Sequence, residues 1–182
     1  LSPFSLFTGA GVVVAYSLLG ATWLVLKTEG ELQGTMRRVT RPITFALLLM
    51  IAAVSLWSPL AHPAIADRWF GFPGNLWFAP VPVLVLASAW VILRAIERPG
   101  EPGATPFLGA LMLMFLGYSG FVISIWPNIV PPSLTVWQAA APDRSLGFTL
   151  VGALLIIPVI LAYSAWSYYV FRGKVRAGEG YH

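Results

Sequence analysis

The chain has 182 residues, of which 58% are hydrophobic and only 10% charged, with a formal net charge of +4 and no cysteine. A soluble domain carries about 25% charged residues, so this composition lacks the polar surface that a fold in water requires, and a bilayer is the solvent that suits it. Disulfides and thiolate metal sites are excluded outright.

The chain opens on Leu1, Ser2, Pro3 and Phe4, without a basic leader and small-residue cleavage site. It reads as a portion of a longer chain. Five apolar runs then follow, each close to the roughly 20 residues that cross a bilayer as a helix. They lie at Phe4–Leu26, Ile43–Leu60, Leu76–Leu93, Phe107–Ile125 and Leu146–Phe171. Each must be helical, because lipid offers no partner to a free backbone amide or carbonyl. The connections "KTEGELQGTMRRVTRP" and "ERPGEPGATP" are polar and rich in turn residues, so they are expected to be loops. The tail "RGKVRAGEGYH" is expected to be mobile. No internal repeat stands out. The predicted fold is an all-α polytopic membrane protein, a single membrane domain over residues 1–182 with about five transmembrane helices in a bundle.

Basic residues set the expected orientation. Lys27, Arg37, Arg38, Arg41, Arg94, Arg98, Arg172, Lys174 and Arg176 fall on one side of the five runs, and only Arg68 and Arg144 on the other. By the positive-inside rule the nine are cytoplasmic, which places the N-terminus outside and the C-terminus, with His182, inside. The tryptophans agree. Trp57, Trp69, Trp77, Trp126 and Trp137 sit toward the outer side, and Trp23, Trp90 and Trp166 toward the inner. An indole is apolar in body with one polar N–H, so it anchors at an interface; a quinone contact is the sharper alternative for any one of them.

The runs contain no ionisable residue, and buried ionisable residues are what redox and proton chemistry in a membrane needs. A haem would need an axial His, Met or Cys. His62 lies between prolines in an outer loop, and His182 is the last residue. Met50, Met112 and Met114 lie in spans, where methionine serves packing. Glu29 and Glu31 flank the basic loop, either pairing with it or forming a proton entrance. Phosphate-binding loops, hydrolase triads and metal-spaced clusters are all missing from the sequence. What remains inside is small or weakly polar: Tyr16, Ser17, Gly20, Ala21 and Thr22 in the first span, and Gly117, Tyr118, Ser119, Gly120 and Ser124 in the fourth. These are expected to be helix-packing faces whose hydroxyls bond across the interface. Pro158 is expected to kink the fifth span.

Between the last two spans stands "WPNIVPPSLTVWQAAAP", Trp126 to Pro142, uncharged and with four prolines. Pro131 and Pro132 force an extended backbone. Ser133 is then expected to cap a short helix that Pro142 ends. Its apolar residues, Trp137 among them, suit an interfacial lid or a lipid-tail and quinone crevice.

"PNIVPPSLTVWQAAAP" followed by "SLGFTLVGALLIIPVILAYSAWSYYVFRGKV" closely resembles the C-terminal region of subunit II of the cytochrome bd-type quinol oxidases. "SPFSLFTGAGVVVAYSLLGATWLVLKTEGELQ" resembles the segment that opens the second half of that subunit, and the wording leans toward the cyanide-insensitive branch. The resemblance implies a haem-free membrane subunit, with quinol oxidation and oxygen reduction to water in a partner. That partner, subunit I, would hold the b- and d-type haems, or b-type alone. It also implies a heterodimer with subunit I, contact with quinol, quinone and lipid, a small accessory subunit in some complexes, no nucleic acid, and a bacterial or archaeal plasma membrane. Lys27, Glu29 and Gly30 in "KTEG", and Arg172, Gly173 and Lys174 in "FRGK", match family positions. With Pro131, Pro132, Trp137 and Pro158 they are the structural and interfacial candidates. None is catalytic, and none binds a cofactor or metal. The alternatives are a small-molecule transporter, which would need a polar site at mid-membrane, and a generic membrane assembly subunit.

Overall fold

The computed structural model describes residues 2–72 and 74–175. Two compact units are distinguished, residues 2–124 with 174–175, and Ile125–Gly173. Five helices are long and apolar enough to cross a membrane: Pro3–Lys27, Gly30–Ala61, Leu76–Glu97, Thr105–Ile125 and Asp143–Val170.

In the first unit, Ser2 opens helix α1 (Pro3–Lys27). Its Oγ accepts from the Ser5 N–H at 3.1 Å, and Pro3 fills the first helical position, where no N–H is needed. Thr28 and Glu29 are extended, and Gly30 has φ +67°, a left-handed conformation that glycine adopts freely. Helix α2 (Gly30–Ala61) starts there, thirteen residues ahead of the apolar run expected to begin at Ile43. Most of the predicted loop "KTEGELQGTMRRVTRP" is therefore helix. Glu31, Leu32, Gln33, Met36, Arg37 and Arg38 are all good helix formers, and Pro42 removes only one backbone bond from a helix held on both sides of it. Short helices α3 (Pro63–Phe70) and α4 (Gly74–Phe78) follow, then α5 (Pro80–Glu97) and α6 (Thr105–Ile125). Pro80 and Pro82 stand in the first turn of α5, so the third run, expected from Leu76, is shared between the end of α4 and α5, which meet at Ala79.

Each long helix of this unit buries only a narrow stripe. On α1 it is Leu18, Ala21, Thr22 and Val25; on α6 it is Pro106, Gly109, Ala110, Leu113 and Leu116. Leu18, Leu47, Val85, Ala89, Ile92, Ala110, Leu113 and Leu116 form the common core. A β-carbon at Gly109 would lie 2.6 Å from Ile92 Cγ1, so glycine here sets how closely α5 and α6 approach. The expected packing faces shift accordingly. Tyr16, Ser17, Gly20, Gly117 and Tyr118 are exposed, and only Ala21 and Thr22 of those groups are buried. The hydroxyls of Ser17, Thr22, Thr40, Thr44, Ser88 and Ser124 all donate to the carbonyl four residues earlier in their own helix. That carbonyl is the nearest acceptor, so each hydroxyl donates within its own helix, and Ser124 Oγ additionally accepts from Trp69 of α3.

In the second unit, Asn128–Val130 (β1) pairs antiparallel with Leu134–Thr135 (β2). Pro131 and Pro132 form the turn, joined by a cis peptide, and Ser133 N–H closes it on Val130 O at 2.9 Å. Ser133 thus belongs to the hairpin, and the cap of α7 (Val136–Ala139) is Thr135. Thr135 Oγ1 accepts from Gln138 N–H at 3.3 Å, while Gln138 Oε1 accepts from Thr135 N–H at 3.0 Å. Trp126 and Trp137 meet edge to face, ring centres 5.4 Å apart. Helix α8 (Asp143–Val170) runs through Pro158 without interruption.

Arg68 and Trp69 of α3 close the far end of α6. Arg68 Nη1 donates to the carbonyls of Ile123 (3.1 Å) and Ser124 (3.2 Å), and Trp69 Nε1 donates to Ser124 Oγ at 3.0 Å. A cation at a helix C-terminus satisfies carbonyls that have no intrahelical partner and opposes the dipole. Charge-assisted bonds contribute about 1.5–3 kcal/mol and neutral ones about 1. Arg68→Gln is therefore expected to lower stability by about 2 kcal/mol and Trp69→Phe by about half that, read as thermal unfolding in detergent; equal effects would mean that the indole, not the guanidinium, closes the helix.

Candidate functional site

The densest polar cluster of the first unit lies where α1 and α5 end and α2 begins. Gln33 and Arg37, one turn apart on α2, reach to the ends of the other two helices. Gln33 Nε2 donates to Val25 O (3.0 Å) and Thr28 O (2.9 Å), which closes α1. Arg37 Nη1 donates to Arg98 O at 3.4 Å and Nη2 to Gly100 O, beyond the end of α5. Arg37 Nη2 also donates to Gln33 Oε1 at 3.4 Å, which links the two caps.

The segment after α8 joins this cluster. Val175 N–H donates to Lys27 O at 2.8 Å, and Thr28 and Val175 pair as a parallel bridge. Beside it, Lys174 Nζ lies 2.6 Å from Glu101 and 4.0 Å from Glu29. Residues 174–175 of the expected mobile tail are thus held in place; residues 176–182, with Arg176 and His182, lie outside the described residues. The structure brings Lys27, Glu29 and Gly30 together with Lys174, the two ends of the matched motifs. Arg172 and Gly173 belong to the second unit, where the Arg172 guanidinium stands 4.1 Å from the centre of the Tyr169 ring. Pro131, Pro132, Trp137 and Pro158 belong to that unit as well.

Gln33, Arg37 and Glu101 were not foreseen as site residues. Residues 33, 37, 40 and 44 share one face of α2, and Thr40 and Thr44 are fully buried. The spacing was visible, but a loop reading of the segment hid it. Glu101 carries no local signal; only the fold brings it to Lys174.

The geometry is that of a brace. Carbonyl caps and ion pairs dominate, with no nucleophile beside a base. Among the described residues no three His, Asp or Glu side chains come together as metal ligands would. His62 is exposed at the junction of α2 and α3 and lines a cavity of about 180 Å³ with Ser2, Phe4, Trp57, Ser58 and Ala61. Cofactor pockets run to about 300–1,000 Å³. Met50 lies against Gly11, and Met112 is 42% exposed.

Magnitudes separate the members of the cluster. Arg41 and Glu97, 3.4 Å apart, are both about half exposed, so their attraction is weak. Lys174 is more enclosed, at 22% exposure, but Glu101 stands 63% exposed, and the pair remains partly screened. Arg37 donates to two carbonyls past the end of α5, which a helix leaves without intrahelical partners. Arg37→Met is expected to cost about 2 kcal/mol, and Lys174→Met under about 1 kcal/mol. Thermal unfolding, together with hydrogen exchange over residues 98–101, checks the ranking; the reverse order would make the ion pair the principal tie.

Residues 1–171 match the family described as cytochrome bd terminal oxidase subunit II. The chain is 26% identical to the cytochrome bd ubiquinol oxidase subunit 2 of Bacillus subtilis (strain 168), over 98% of this chain and 52% of that protein. It is 24% identical to the cytochrome bd-I ubiquinol oxidase subunit 2 of Escherichia coli (strain K12), over 96% of this chain and 53% of that one. A probable cytochrome oxidase subunit 2 of Haemophilus influenzae is 24% identical over 97% of this chain and 54% of its own length. The chain thus spans about half the length of the curated relatives it matches. With the match running through all five membrane-crossing helices, the chain belongs to the cytochrome bd terminal oxidase subunit II family.

Proposed function

We propose that this chain acts as a haem-free membrane subunit of a bd-type quinol oxidase. It braces the haem-bearing subunit I as that subunit oxidises quinol and reduces oxygen to water. The family match across residues 1–171 carries the reading. The chemistry of the chain supports it: among the described residues of the first unit, the Asp, Glu, Lys, Arg and His side chains stand outside the apolar runs, where Arg37 and Arg68 close helices, and none lies within a run to relay a proton or bind a polar cargo. The site candidates act as structural and interfacial groups of one membrane domain, in a bacterial or archaeal plasma membrane. Quinol, lipid and a small accessory subunit are its further partners.

Isolation of the complex from native membranes with this subunit tagged is expected to bring a larger partner with b- and d-type haem absorption, or b-type alone in the cyanide-insensitive branch. A stoichiometric haem spectrum on this chain without a partner would refute the haem-free role.

The nine-to-two distribution of basic residues orients the chain with its N-terminus outside. Lysines added between Pro59 and Gly74 are expected to disturb insertion in a reporter-fusion assay. Unchanged topology with three or more of them would count against that orientation.

A further inference from the structure

Helices α1 and α5 end alike. The Lys27 ammonium stands 5.1 Å from the centre of the Trp23 ring, and the Arg94 guanidinium 5.8 Å from that of Trp90. Within the second unit, Arg172 repeats the arrangement over Tyr169. In each case the ring precedes the cation by three or four residues; on α1 and α5 it lies one turn below it on the same helix face, and Arg172 reaches back over Tyr169 from just past the end of α8. Trp23 also packs against Phe107 of α6, ring centres 5.1 Å apart, so the floor beneath Lys27 is built from two helices. Trp90 is 59% exposed, and Arg94 above it is exposed too.

A cation at a helix C-terminus opposes the dipole wherever its side chain lies. Laying it over a ring does something more: it holds the charge in one place, directly above an apolar surface at interfacial depth. Charge balance then points outward. Among the described residues at this end of the first unit, seven Lys and Arg side chains stand against Glu29, Glu31, Glu97 and Glu101. Three of those carboxylates are engaged by Arg41 and Lys174. Among the described residues Arg94 makes no ion pair.

We propose that the ends of α1 and α5 hold the phosphates of anionic phospholipids, with Arg94 over Trp90 and Lys27 over Trp23 as the headgroup contacts. Each ring takes the glycerol and upper acyl carbons, and each cation takes the phosphate. Arg94 offers a planar fork that matches two phosphate oxygens. Because the ring already orders the cation, binding costs little further side-chain freedom. The site rests on the orientation proposed above, which puts these ends in the leaflet that carries anionic lipid. It does not depend on the oxidase chemistry.

The test is native mass spectrometry of the intact detergent-solubilised complex, titrated with phosphatidylglycerol or with phosphatidylcholine of the same acyl chains. Phosphatidylglycerol is expected to be retained preferentially. The preference should fall about fivefold for each of Lys27→Gln and Arg94→Gln, and it should weaken with rising salt. Trp90→Leu should loosen retention of both lipids. Equal retention of the two lipids by the unaltered complex, a preference untouched in the Lys27→Gln/Arg94→Gln variant, or displacement by millimolar inorganic phosphate would each overturn the assignment. Failure of the oxidase reading would show separately, as a complex without haem, and failure of the orientation as a reversed reporter pattern.

Discussion

A helix leaves its last carbonyls without partners, and in a membrane protein those carbonyls sit where water is scarce. The first unit answers this with three long side chains sent across from other helices. Gln33 closes α1, Arg37 closes the turn after α5, and Arg68 closes α6. Each donor sits on an element that is not the one it caps, so satisfying the backbone also ties helix to helix. The buried core adds dispersion, yet lipid is as apolar as leucine and gives helices no hydrophobic reason to associate. The polar ties at the ends therefore carry more of the specificity than their number suggests.

That division between middle and ends shapes what the chain can do. Its middle is a narrow stripe of Leu, Val, Ala and Ile side chains, with hydroxyls turned back onto their own helices. Such an interior holds helices at a fixed separation and offers no charge to a proton or redox partner. The ends are where charge, aromatic rings and the segment after α8 converge. Under the function proposed, a subunit built this way contributes shape, anchoring and surface to a complex.

Much of this was legible from residue patterns, and the misses are instructive. The five crossings were readable because about 20 consecutive apolar residues have few alternatives in lipid. The start of α2 was not, since Gly30, Gly34, Thr35 and Pro42 read as turn residues until the caps made by Gln33 and Arg37 are seen. Ser133 was expected to cap the short helix after the prolines, and Thr135 caps it instead. The hairpin decided between them, because its turn uses the Ser133 N–H and places Gln138 within reach of Thr135. Of the small-residue groups expected on α1 and α6, Ala21 and Thr22 are buried and Ser124 receives Trp69, while Tyr16, Ser17, Gly117 and Tyr118 are exposed.

By itself the sequence determined the solvent of this protein, its helical class, the number of crossings and the asymmetry of charge between the two sides. These follow from transfer free energies and from backbone groups that lipid cannot satisfy, which act on each segment alone. Only the tertiary structure decided that Lys174 meets Glu101, that Arg37 reaches Gly100, and that Gly109 rather than Gly117 sets a close approach. Such contacts join residues tens of positions apart. A pairing of that range depends on how whole helices pack, and no local preference of either residue encodes it.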